Sequence, residues 1–161
     1  MSNSVIDCHN RIADPDSIFK GAHKLQPGDF YDGRYELSSS LENPDDVDMW
    51  RVHLKSGETL TVDTDTLYFP ETGQHFGPDT VLALFDNKGN LLTFDDDTPL
   101  QPVGAPLDSL ITYTATESGN YYIAVSAYAN IPTGTGGFND GPDYSGGGRF
   151  GGDYDLNILI A

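Results

Sequence analysis

Asp79-Thr80-Val81-Leu82-Ala83-Leu84-Phe85, followed by Asp86-Asn87-Lys88-Gly89-Asn90, decides the fold class. Thr80 to Phe85 is too short for a globular helix, and it is apolar at odd and even positions alike. Such a run fits a strand in the middle of a sheet, covered on both faces. Asp86 to Asn90 supplies tight-turn chemistry, with Gly89 where a left-handed residue is needed, so the chain returns antiparallel through Leu91 to Phe94. This segment lacks the aspartate spacing and terminal Glu of an EF-hand loop and reads as a hairpin turn.

The same grammar repeats on either side. Short alternating runs rich in Val, Ile, Thr, Tyr and Leu occur at Asp29–Leu37, Val47–Leu54, Thr59–Asp65, Ser109–Ala115, Tyr121–Ala127 and Tyr154–Ile160. With Thr80–Phe85 and Leu91–Phe94 they predict an all-β, antiparallel, jelly-roll-like sandwich of about eight strands. Alternation puts Trp50, Val52 and Leu54 on one face, as it does Leu60 and Val62, Tyr121, Ile123 and Val125, and Tyr154, Leu156, Ile158 and Ile160. These are the expected core, and the tyrosines and Trp50 are assigned to packing rather than to a stacking platform for a ligand. One sandwich domain is expected over residues 29–161, with 1–28 as an N-terminal extension or extra strand.

If eight antiparallel strands alternate in direction, their connections alternate between two poles. The tight turns Lys55–Glu58, Asp86–Asn90 and Glu117–Asn120, each read as a hairpin, then share one pole. The opposite pole receives the longer connections and most of the clustered acids: Asp45, Asp46, Asp48, Asp79, Asp95-Asp96-Asp97, Asp108, Asp140, Asp143 and Asp153. Crowded carboxylates repel one another, and a hard divalent cation with six to eight oxygen ligands offsets that repulsion. Calcium is the expected cofactor, with Asp46, Asp48, Asp79, Asp95, Asp96, Asp97, Asp108 and Asp153 as candidate ligands. Zinc would need His or Cys at ligand spacing, and neither His9, His23, His53 and His75 nor the single Cys8 offers it. The stretch from Tyr128 to Gly152 holds nine glycines in twenty-five residues and reads either as a loop whose backbone carbonyls help hold a cation or as a mobile, partly disordered loop.

Composition narrows the partners. Eight Lys and Arg against twenty-five Asp and Glu give a net charge of −17, which makes nucleic acid and anionic membrane surfaces poor partners and cations the natural ones. No run approaches the ~18 apolar residues of a membrane span, and Met1 to Phe19 carries neither the basic nor the apolar region of a signal peptide. Export would thus rely on a leader already removed, a signal elsewhere in a larger protein, or a route without an N-terminal peptide. The sequence contains no Gly-x-Ser-x-Gly elbow, His-Glu-x-x-His helix motif, phosphate-binding glycine loop or Cys–His pairing, so a non-catalytic module is expected.

Asp46-Val47-Asp48-Met49-Trp50, Gly57-Glu58-Thr59-Leu60, Asp79 to Asp86 with Gly89, Phe94-Asp95-Asp96-Asp97, Gly119 to Val125 and Gly152-Asp153-Tyr154-Asp155-Leu156 occur in an order that resembles the bacterial pre-peptidase C-terminal domain family. The resemblance runs from about Phe30 to Ala161. It implies a jelly-roll-type sandwich appended to secreted proteases, collagenases or surface proteins, assisting secretion, substrate docking or adhesion. It also implies calcium ligands around Asp46 and Asp48 and at Asp95 to Asp97, an extracellular or cell-surface location, and an extracellular protein or glycan as partner. A purely structural or solubilising domain, or a carbohydrate-binding module, is the alternative reading.

Overall fold

The computed structural model describes residues 22–25, 30–31, 34–41, 47–69, 72, 74–98, 107–128, 130–133, 138–140 and 151–161. Its strands are β1 His23–Lys24, β2 Phe30–Tyr31, β3 Arg34–Leu41, β4 Val47–Leu54, β5 Thr59–Asp65, β6 Leu67–Phe69, β7 Gln74–Phe76, β8 Thr80–Phe85, β9 Leu91–Asp96, β10 Leu110–Thr114, β11 Gly119–Ala127, β12 Asn130–Pro132, β13 Phe138–Asp140 and β14 Gly152–Ile160. Eight of these are long and form two antiparallel four-stranded layers, β4-β11-β8-β9 and β10-β5-β14-β3, extended at one edge by the two-residue β1 and β2 respectively. β1 pairs in parallel with Trp50–Arg51 of β4.

The expected core closes between the layers. Trp50, Val52, Leu54, Tyr121, Ile123 and Val125 meet Leu60, Val62, Tyr154, Leu156 and Ile158 in one buried cluster, because alternation sends each set to the inner face of its sheet. β8 is buried at all six positions. Its inward Leu82 and Leu84 join the main core. Its outward Ala83 and Phe85 belong to a second cluster, with Met49, Ala124 and Phe138. Phe138 lies on β13 and contacts Phe85 edge-on at a ring separation of 6.1 Å.

Two expectations are corrected here. The Gly-rich stretch after Tyr128 is not irregular throughout, since β12 and β13 pair across Asn130–Asp140, Ile131–Asn139 and Pro132–Phe138 to form a cover for the outer face of the first sheet. The strand expected over Asp29–Leu37 breaks into β2 and β3, and β3 continues to Leu41. Ser38, Ser39 and Ser40 read as loop, yet they pair with Asp155, Tyr154 and Asp153 on β14, where neighbouring backbone outweighs weak local propensity.

The three tight turns do share a pole, but only Asp86–Asn90 closes a hairpin; Lys55–Glu58 and Glu117–Asn120 each carry the chain from one sheet to the other, against the expectation of three hairpins. Gly57 N donates to Ala115 O at 2.7 Å and Ser56 N to Ser118 Oγ at 2.9 Å, while Asp86, Lys88, Glu117 and Asn120 line one polar cavity. Gly57 and Gly89 take φ of +91° and +84°, the left-handed conformation that those turns require.

Candidate metal centre

At the opposite pole the hairpin register brings three aspartates together. Asp79 immediately precedes β8, and its carbonyl accepts the Tyr128 N–H at 2.6 Å, which fixes it beside the end of β11. Two residues earlier the chain passes close to the second sheet at Gly77, where a Cβ would stand 3.0 Å from Thr66 Cβ and 3.2 Å from Asp153 O. Asp96 ends β9 opposite Val81, and Asp97 follows at φ +85°, a left-handed conformation that Asp tolerates better than most residues. One carboxylate oxygen from each of Asp79, Asp96 and Asp97 can be chosen so that all three lie within 4.8 Å of one another.

The electrostatics of this triad are unbalanced. The Oδ1 atoms of Asp79 and Asp96 are buried and have no hydrogen-bond partner among the described residues. Burial, reinforced by the charges of Asp97 and Asp96, pushes the Asp79 carboxyl up to about 7. Burial together with Asp97 and Asp95 takes Asp96 to about 6, and burial with Asp95 raises Asp97. Every cause of these upward shifts is either desolvation or a neighbouring carboxylate. A hard cation relieves both, and three carboxylates form an all-oxygen donor set suited to calcium rather than to a softer metal.

The other candidates are placed differently. Asp48 is buried in β4, where Oδ2 accepts from Ser39 Oγ at 2.9 Å and from the Tyr154 hydroxyl at 2.5 Å, joining the two sheets. Asp95 faces the opposite way from Asp96, taking Leu110 N at 2.9 Å and Thr98 Oγ1 at 2.8 Å. Asp108 is buried and accepts both Thr66 N at 3.0 Å and Thr66 Oγ1 at 2.6 Å. These three carboxylates therefore serve as hydrogen-bond acceptors that hold strands and connections together. Asp153 is exposed on β14 opposite Ser40. Asp46, Asp45 and Asp143 lie outside the described residues, and Asp140 is described only as part of β13.

The family resemblance singled out Asp96 and Asp97 together with Asp46, Asp48 and Asp95 but gave Asp79 no such priority, and sequence reasoning passed over two exposed aromatics. Phe94 shares its face of β9 with Asp96 and is 47% exposed, while Tyr128, 39% exposed, is bonded through its backbone to Asp79. Phe94 pairs with Ala83 on the outer side of the first sheet, and Tyr128 directly follows β11. Strand alternation from Asp96 back to Phe94 is the signal that could have found the first.

Fold and site together define an antiparallel β-sandwich module with one carboxylate-rich pole. The chain belongs to the bacterial pre-peptidase C-terminal domain family, whose model matches residues 46–127, about half of its length. Among solved structures it is similar to the periplasmic inhibitor of g-type lysozyme, PliG, of Aeromonas hydrophila, at 14% identity and a TM-score of 0.50 over 86% of this chain and 94% of that one. It is also similar to the pre-peptidase C-terminal domain of Bacillus anthracis collagenase, at 16% identity and a TM-score of 0.48 over 93% and 99% of the two chains. No curated protein matches the chain.

Proposed function

We propose that the protein is a non-catalytic module of an exported or surface protein that binds calcium at Asp79, Asp96 and Asp97 and uses that pole for docking. The observation that carries this reading is the pair of buried, unpartnered oxygens, Asp79 Oδ1 and Asp96 Oδ1, in a triad of ligand spacing. An unsatisfied buried polar atom costs on the order of 1–3 kcal/mol, more when charged, and a cation removes that cost. Exposed Phe94, on the Asp96 face of β9, gives a bound ion an apolar border, which suits a surface that meets an extracellular protein or glycan. Extracellular calcium modules of this kind bind at roughly 10⁻⁴ to 10⁻³ M.

The test is thermal unfolding of metal-stripped protein in EDTA, in about 10 mM calcium and in magnesium at matched ionic strength. At ~100 times the dissociation constant one native-state site adds about 2.7 kcal/mol, a rise of about 5–10 °C for a domain of this size. That rise is expected with calcium, not with magnesium, and not in Asp96→Asn. Equal small shifts from both ions would reduce the metal to charge screening and leave a structural module.

A further inference from the structure

The two outer faces of the sandwich are unlike. That of the β4-β11-β8-β9 sheet is capped by Phe138 and Ala22. Among the described residues no comparable apolar cover lies on the outer face of the β10-β5-β14-β3 sheet, whose outward side chains include exposed Asp65, Asp153, Asp155 and Leu159 and half-buried Asp63. β5, β10 and β14 contain no lysine or arginine. Asp65 stands directly opposite Asp155 in the ladder, a like-charge pairing that destabilises a sheet. Asp63 faces Asn157, whose Nδ2 donates to Asp63 at 2.9 Å and to Asp65 at 2.7 Å, so one amide holds two carboxylates in place. Four acids thus lie on two adjacent central strands, on regular backbone.

We propose that this sheet face is a docking surface for a basic protein, whose lysine and arginine side chains pair with Asp63, Asp65, Asp153 and Asp155. Charge complementarity selects that partner: strands spaced by about 4.8 Å and side chains repeating every ~6.8 Å along each strand present the carboxylates as a fixed array. The exposed Leu159 supplies an apolar contact on the same face. In the free domain Asp155 accepts from Ser38 Oγ at 2.5 Å and Asp65 from Asn157, neutral donors to which cationic side chains add the opposite charge that the facing pair lacks. The surface is distinct from the aspartate triad and does not depend on a metal.

Cytochrome c, a compact lysine-rich protein, serves as the probe, titrated by calorimetry into the full chain in EDTA at about 20 mM and at about 150 mM salt. Asp65→Asn/Asp155→Asn is compared with Glu58→Gln/Glu117→Gln, which makes the same change in net charge at the tight-turn pole. The face variant is expected to bind about tenfold more weakly, equivalent to about 1.4 kcal/mol, and the control within twofold of wild type. Amide shifts of the labelled domain are expected on β5 and β14. Equal weakening in both variants, absence of binding at low salt, or shifts confined to the triad pole would each overturn the proposal.

Discussion

Asp79 and Asp96 bind protons more tightly in the folded chain than in the unfolded one, and this sets the pH response of the metal-free domain. Unfolded aspartates titrate near 3.8, while Asp79 and Asp96 titrate near 7 and 6 when folded, so between these values the folded state holds protons that the unfolded state has released. The triad's contribution to stability is therefore most favourable below the unfolded value and is lost as pH rises to about 7. In EDTA, Asp79→Asn is expected to exceed wild type in Tm at pH 8 and to lose most of that advantage by pH 5, as scanning calorimetry across the range would read. Asp97→Gly separates ligand from backbone: glycine relaxes φ +85°, so stability in EDTA holds or rises while the calcium shift disappears. Tyr154→Phe bears on a different carboxylate, Asp48, which keeps Ser39 but loses its 2.5 Å partner inside the core. A loss of about 1–3 kcal/mol in denaturant unfolding is expected, with the calcium response intact. Residue identity alone could not sort these acids: Asp48, Asp95 and Asp96 look equivalent until their partners are known.

What sorted them is the β8–β9 hairpin, an element whose existence was legible and whose register was not. Phe85 opposite Leu91 is the pairing that the Asp86–Asn90 turn suggests, and continued without interruption it would place Asp95 opposite Val81. The ladder instead shifts by one residue near Leu84 and Phe85, so Asp96 takes that place and Asp95 turns inward to Leu110 N. A one-residue shift exchanges the two faces of a strand, and a bulge leaves little trace in composition. The strand boundaries of β4, β5 and β8 were by contrast fully readable, because alternation and glycine turns act locally. β12 and β13 were not, being three-residue strands in a Gly-rich stretch that hold together partly through Phe138 on the outer core. Phe138→Ala removes a ring buried in the outer cluster with Phe85 and Ala83. The expected cost is about 3–5 kcal/mol in chemical denaturation, and loss of amide protection in β12 and β13 would accompany it.

Across the whole molecule the pairing order departs most from chain order. Among the eight long strands only β8 and β9 are neighbours in both sequence and sheet. Both central strands come late: β11 lies between β4 and β8, and β14 between β5 and β3. Local pattern reveals each strand but carries no information about such distant partners, which is why the sheet order was out of reach of the sequence. The same connectivity means that neither sheet can close until residues 119–127 and 152–160 are available. Closing long loops before contacts compensate slows folding, and refolding on the millisecond-to-second scale is expected from stopped-flow fluorescence of Trp50. A chain ending at residue 150 makes a sharper case. It lacks the strand that bridges β3 and β5, and with it the fully buried Leu156 and Ile158, leaving Leu37, Leu60 and Val62 without their cover. Such a chain is expected to lose dispersed amide resonances and its cooperative thermal transition, not merely stability, because half of the sandwich has no centre. A peptide of residues 151–161 supplied in excess should restore both by adding back the missing strand, whereas a truncated chain that still unfolds cooperatively by itself would show that the first sheet and its hairpin cover fold without the second.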